Sequence, residues 1–264
     1  MFRLILLIII LAFIFETLDS AAGMGFGTCM APILFLLGYS PLQIVPTLLI
    51  SQAITGLTNA FFDHEFGNVN FSFRPLNDTT RFTFLVAIFG CLAIFFSIFL
   101  IYFTFKSPVM IIKIYVAILV LSMGLIGLSR LRIKENKNVI FKPKLFIAFS
   151  ALAGFNKGIG GGGYGPVMTM GQIYSGVYEK SATAIVSLAE ALVSITGIIT
   201  FFLISLAGIE LDLVLLPSIF TGGFIAAILS PYLVRIMPNL IWKILIPIYT
   251  IIMGIVSLLL ILVY

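Results

Sequence analysis

Lys157-Gly-Ile-Gly-Gly-Gly-Gly-Tyr-Gly-Pro166 interrupts an apolar stretch in mid-chain, and Asp19-Ser-Ala-Ala-Gly-Met-Gly-Phe-Gly-Thr28 interrupts another near the start. Superposed at an offset of 138, Gly23, Gly25 and Gly27 fall on Gly161, Gly163 and Gly165, Phe26 falls on Tyr164, and Asp19 falls on Lys157. A soluble core has little use for such breaks at matched places. In a membrane protein, paired Gly/Pro-interrupted segments in two halves of a chain point to a transporter's binding site.

Composition agrees with a membrane setting. Of 264 residues, 61% are hydrophobic and 9% charged, against about 25% charged in globular domains. Apolar runs long enough to cross a bilayer recur throughout, which predicts an all-α polytopic membrane protein. The net charge of +5 is no nucleic-acid footprint, because the basic residues sit in short connections, where they set orientation. Cys29 and Cys91 lie in separate apolar segments without a metal-ligand pattern and read as buried thiols. Arg3, the apolar run to Phe15 and the small residues Ser20-Ala21-Ala22 imitate a signal peptide. Glu16 and Asp19 just before the small residues, and the second break in mid-chain, argue for a retained helix.

Hydrophobic spans fall at about 2–18, 44–62, 82–105, 108–129, 145–157, 180–207, 212–235 and 240–262. The pieces 28–37 and 166–175 cover only about 15 Å each, half of a ~30 Å hydrocarbon core. Read as second halves of broken helices, or as re-entrant segments, they leave eight crossings in two homologous four-helix repeats, 1–129 and 145–264. Linker 130–144 carries Arg130, Arg132, Lys134, Lys137, Lys142 and Lys144 against Glu135. The positive-inside rule places it in the cytoplasm, and four crossings per half then put both termini there too. An even count makes the halves parallel; full crossings by the short pieces would invert them. Thr47 and Ser51 match Thr183 and Ser187 at an offset of 136, so two residues of slippage are expected.

Ionisable residues inside apolar spans each cost at least ~2.5 kcal/mol at mid-membrane. Counted along their spans, Glu16, Lys157 and Glu190 all fall near the middle, and Asp19 sits at the first break. Consecutive glycines allow close backbone approach and expose N–H groups. Thr28 and Pro166 stand where half-helices are expected to start, so two helix N-termini would point into the protein and favour an anion. The candidate substrate-binding set is Gly25, Phe26, Gly27, Thr28, Gln52, Lys157, Gly161, Gly162, Gly163, Tyr164, Thr183 and Ser187, with Thr47, Ser51 and Asn59 as further neutral donors. Glu16, Asp19 and Glu190 are candidates for proton or ion coupling. Plainer readings stand beside these. Lys157 and Asp19, at matched positions, can cancel each other's charge, and mid-helix Ser and Thr more often bond back to the preceding turn than hold a ligand. Gly158-x-Gly160-x-x-Gly163 matches a dinucleotide fingerprint, but no βαβ unit surrounds it. Neither a nucleophile–base pair nor a metal-ligand set stands out, so an enzyme is not expected, nor a cofactor or metal.

A Gly-rich break leading to proline in each of two halves resembles the sulfite exporter TauE/SafE family. The resemblance rests on Gly23-Met-Gly-Phe-Gly27 leading to Pro32, on Gly158-Ile-Gly-Gly-Gly-Gly163 leading to Pro166, and on the Thr47/Ser51 and Thr183/Ser187 pairs. It implies a secondary transporter of small sulfur-containing anions such as sulfite or organosulfonates, in a bacterial-type inner membrane. Without any sign of ATP use, a proton or ion gradient would drive alternating access. Two other readings use the same residues: an uncoupled anion channel or facilitator, and a carrier coupled to cations or carboxylates.

Overall fold

The computed structural model describes residues 5–23, 26–105, 108–129, 143–174 and 179–236, together with 244, 247–248, 250–252 and 254–259. Regular structure among them is helical: α1 (Leu6–Ala22), α2 (Phe26–Leu36), α3 (Pro41–Glu65), α4 (Asp78–Ile98), α5 (Val109–Ser129), α6 (Pro143–Gly160), α7 (Tyr164–Tyr174), α8 (Glu179–Leu206) and α9 (Leu216–Ile236). A π-helical segment, Phe99–Thr104, prolongs α4, and an apolar helix, α10, covers Thr250–Leu259. Among the described residues, five helices have the length and apolarity to cross a membrane: Pro41–Glu65, Asp78–Thr104, Val109–Ser129, Thr183–Leu206 and Leu216–Leu233. Their outward faces carry exposed large apolar side chains such as Phe96, Phe202 and Leu206, a surface that lipid can cover.

Local chemistry sets the boundaries. α1 stops where Gly23 turns left-handed at φ 65°, its N–H reaching the Asp19 carbonyl at 2.7 Å. α6 stops the same way at Gly161, φ 75°, with its N–H on the Lys157 carbonyl at 2.8 Å. A left-handed residue at this position favours glycine because it lacks Cβ. Three residues after each stop, the next helix begins, at Phe26 and at Tyr164. These starts lie two residues before Thr28 and Pro166, the starts expected from sequence, because the glycine turn is tighter than a cap followed by proline requires. α3 opens on a capping box of Ser40 with Gln43 and has Pro41 at its first position, and Asn77 caps α4 by accepting from the Thr80 N–H.

Contacts along the helices give their directions. α1 runs parallel to α9: the Ile5 N–H donates to Ser218 Oγ at 2.9 Å, and Gly222 packs on the Ile9 carbonyl. α3 also runs with α9, from Gln43 bonded to Asp212 to Phe66 beside Tyr232. It runs against α8, with Gln52 at Glu190 and Gly56 at Ser187. α4 follows α6 from Phe82–Phe146 to Gly90–Gly154.

α1 reaches the depth of Asn59, which bonds Glu16. α2 begins beside Gln52 and ends a short connection before Pro41, so it returns along α3. α6 and α7 double back in the same manner, with Gly171 against the Phe149 ring. Each break is therefore the tip of a helical hairpin, not a kink in one broken crossing. Of the two readings of the short pieces, the hairpins match the re-entrant one and replace the broken-helix one. Because both pairs turn back, Leu6 lies toward the end of the bundle where α3 begins, and Ser129 and Pro143 lie toward the opposite end. The described helices consequently do not add up to eight crossings, and Ser129 and Pro143, which flank the basic linker in sequence, do not share an end with the start of α1.

Candidate functional site

The two hairpin tips pass each other inside the bundle with backbone against backbone. A Cβ on Gly27 would lie 2.3 Å from the Gly161 carbonyl oxygen, and one on Gly165 would lie 2.5 Å from that of Gly23. These contacts exchange under the 138-residue offset. Gly162 packs on Gly27 at the same crossing. The Gly163 N–H donates to Thr28 Oγ1 at 3.2 Å, and Thr169 Oγ1 donates to the Gly23 carbonyl at 3.2 Å.

Beside the crossing lies a buried triad. Lys157, fully buried, donates from Nζ to Gln52 Oε1 at 2.6 Å and to Glu190 Oε1 at 2.7 Å. Gln52 Nε2 donates to the same Glu190 oxygen at 3.0 Å. The Tyr164 ring centroid is 6.0 Å from the Lys157 ammonium. A fully buried ammonium is tolerable only with a charge partner and further hydrogen bonds, and here it has both. Gln52 and Glu190 are 138 residues apart, so each occupies the other's place under the same offset that superposes the breaks.

Glu16 lies two turns further along α3 than Gln52, its Oε1 accepting from Asn59 Nδ2 at 2.8 Å. The half-buried Asp19 carboxylate faces the Phe26 N–H at the start of α2, so one helix N-terminus already has an anion from its own chain. Lys157 is paired with Glu190, where the sequence suggested Asp19 as its partner.

Of the other sequence candidates, Gly27, Thr28, Gly161, Gly162 and Gly163 meet at the crossing, the Phe26 ring lies against Gly223 and the Tyr164 ring against Gly90, and Gly25 lies outside the described residues. Thr183 reaches Gly23 with its methyl group, whereas Ser187 Oγ bonds back to the Thr183 carbonyl at 3.1 Å. Thr47 and Ser51 are buried without a hydrogen-bond partner among the described residues. Both cysteines are free: Cys29 Sγ lies 3.9 Å from Thr250 Oγ1, and Cys91 Sγ reaches the Leu192 carbonyl at 3.6 Å. Sequence reasoning did not find the Gln52–Glu190 partnership or the buried Ser20. The offset of 138 carried from the glycines to α3 would have found the first.

In this arrangement the anion cradle expected from the breaks is filled by the opposite break. The Gly161 and Gly163 N–H groups are bonded within the protein, and Lys157 is neutralised by Glu190. Separating the tips would free the Gly163 N–H. Releasing Glu190 from Lys157 would leave a buried cation beside two helix N-termini, an environment made for an anion.

Comparisons with known proteins bear on that chemistry. The family model for the sulfite exporter TauE/SafE matches residues 8–257. A relative described as the probable membrane transporter protein YtnM of Bacillus subtilis (strain 168) is 24% identical over 226 residues, covering 83% of this chain and 71% of its own length. No solved structure matches. With glycine breaks, hairpin tips and a family match over nearly its whole length, the chain belongs to the sulfite exporter TauE/SafE family.

Proposed function

We propose that this chain is a secondary transporter carrying a small oxyanion, sulfite or an organosulfonate, across the inner membrane by alternating access. The observation that carries the reading is Lys157, fully buried at the hairpin crossing and held by Gln52 and Glu190. A buried cation whose counter-ion can protonate offers a place for a substrate anion at mid-membrane. Loading requires Glu190 to leave Lys157, by taking a proton or by moving onto the Gln52 amide. The crossing must also open enough to free backbone donors near Gly27–Thr28 and Gly161–Tyr164. Three acids, Glu16, Asp19 and Glu190, surround one lysine. That excess disfavours an anion unless protons accompany it, which supports proton coupling over an uncoupled pathway.

The same reading gives the chain two inverted halves. α2, α3 and α4 begin at 26, 41 and 78, and α7, α8 and α9 begin at 164, 179 and 216, each pair separated by the offset of the glycines. The contacts α1 with α9 and α4 with α6 exchange under that offset, as do α4 with α8 and α3 with α9. Each half then has a re-entrant hairpin followed by three crossings, α3–α5 and α8–α10. An odd number inverts one half relative to the other. Among the described residues, Arg74, Arg81, Lys144, Lys180 and Arg235 fall in or beside helix ends at one end of this arrangement, and Lys113 falls toward the other. The first end is cytoplasmic by the positive-inside rule, which moves the starts of α1 and α3 to the opposite face.

A binding screen of the purified full chain by thermal shift tests the substrate class. Sulfite, sulfate, thiosulfate, sulfonates and small carboxylates are compared at two pH values, with wild type and Lys157→Gln. Stabilisation by sulfite or sulfonates that disappears in Lys157→Gln is expected, and stabilisation by carboxylates alone would remove the sulfur part of the proposal.

A further inference from the structure

Glu16 and Asn59 face each other as a carboxyl and an amide joined by one bond, Asn59 Nδ2 to Glu16 Oε1 at 2.8 Å. The other oxygen of each group, Glu16 Oε2 and Asn59 Oδ1, is buried and lacks a hydrogen-bond partner among the described residues. Glu16 is 2% exposed and Asn59 3%. Both orphans are acceptors, so neither can satisfy the other while the acid is ionised. A carboxylic acid facing an amide closes a two-bond ring, N–H to one carboxyl oxygen and O–H from the other to the amide oxygen. One bond of that ring is in place, and a proton on Oε2 would supply the second. A sodium ion would want five or six oxygens, whereas one proton accounts for both orphans together.

We propose that the Glu16–Asn59 pair is a proton-binding site of this protein, separate from the Lys157–Glu190 pair, with the proton held between Glu16 Oε2 and Asn59 Oδ1. Ser20, one turn along α1, is a second acceptor at this level, its buried hydroxyl also lacking a partner among the described residues. Glu16 binds a proton from the aqueous phase to become neutral and returns it when the hairpin tip moves away from α3, so charge and proton balance with no other reactant. Its place in the second half is taken by Gly154, which packs on the Gly90 carbonyl. The site therefore belongs to one hairpin alone. Polar side chains continue from Asn59 along α3 toward the surface. One turn beyond Asn59, the buried Asp63 accepts from Asn68 at 2.8 Å, and Asn68 lines a 450 Å³ surface cavity with His64, Asn70 and Thr79.

The charged and titratable groups facing Glu16 are Asp19 on its own helix, Glu190 on α8 and Lys157 on α6. α3 turns Asn59 toward it together with Thr55, whose hydroxyl is a second donor within reach of the carboxyl, α2 carries Cys29, and α9 packs on α1 through Gly222. The inference rests on the transport reading for the proton's purpose but not for its location. Infrared difference spectra of the full chain, titrated across pH without substrate, read the location directly. A carboxylic-acid carbonyl band is expected in wild type, Asp19→Asn and Glu190→Gln, absent in Glu16→Gln, and displaced in Asn59→Leu. Glu16→Asp, which keeps the acid but shortens its reach, should displace the band as well and serves if Asn59→Leu does not fold. Survival of the band in Glu16→Gln, its loss in Asp19→Asn, or a band unmoved in both Asn59→Leu and Glu16→Asp would overturn the proposal. So would a band that answers to sodium at constant pH instead of to protons. Failure of pH-driven anion uptake with the band behaving as expected would count against the transport reading alone.

Discussion

The hairpins α1–α2 and α6–α7 share a backbone and divide the chemistry. Both stop on a left-handed glycine, both restart three residues later, and each presses a glycine onto the other's carbonyl. The residue four before the stop is Asp19 in one and Lys157 in the other, and Glu16 in the first answers to Gly154 in the second. The two tips are alike where their backbones touch, because no side chain fits there. They differ one turn away, where Asp19 and Glu16 stand at the places that Lys157 and Gly154 hold in the other. A symmetric frame can thus hold an asymmetric site, with a cation on one tip and acids on the other.

The shared half of this comparison breaks first. Gly27→Val and Gly165→Val each place a Cβ where a carbonyl oxygen already sits, and rigid backbone offers no relief. Both variants should fail to give folded, monodisperse protein in size-exclusion chromatography. Gly38→Ala, with open space around the glycine, should cost only the strain of its left-handed φ of 90°, about 1 kcal/mol. Recovery of well-folded Gly27→Val would mean the tips do not cross so closely.

The divergent half breaks next. Lys157→Met leaves Glu190 buried without its cation, and losing one partner of a buried pair costs about 3–5 kcal/mol. Thermal unfolding should show that loss, and Lys157→Met with Glu190→Leu should recover much of it while remaining inactive. A double variant that transports would separate the triad from function. Glu190→Gln is a milder change, because Gln52 still has a polar neighbour. It should abolish uphill accumulation of substrate while sparing exchange, as measured by counterflow in proteoliposomes. The smallest effect belongs to Ser187→Ala, whose hydroxyl only bonds back to the Thr183 carbonyl; stability should stay within ~0.5 kcal/mol.

That last residue explains what could and could not be read in advance. The breaks, their left-handed glycines and the short helices after them were legible, since glycine clusters and an eleven-residue apolar run carry local information. The direction of the chain after each break was not. Apolarity and length are identical whether a segment continues outward or folds back, and only contacts such as Gly171 on Phe149 decide it. The Thr47/Ser51 and Thr183/Ser187 patterns match at an offset of 136, two residues short of the offset that separates the glycines. The observed helix starts place Ile185 and Ala189 opposite Thr47 and Ser51, and Gln52 opposite Glu190. The buried charges were found individually from their cost at mid-membrane. Their partners depended on how two distant hairpins cross.

Lys157 is the residue proposed to receive the anion at the crossing. Uptake of labelled sulfite into proteoliposomes, comparing wild type with folded Lys157→Gln under an imposed pH gradient, tests it most directly. Saturable, pH-driven uptake by the wild type that is absent in Lys157→Gln is the predicted result; equal uptake by both proteins would contradict it.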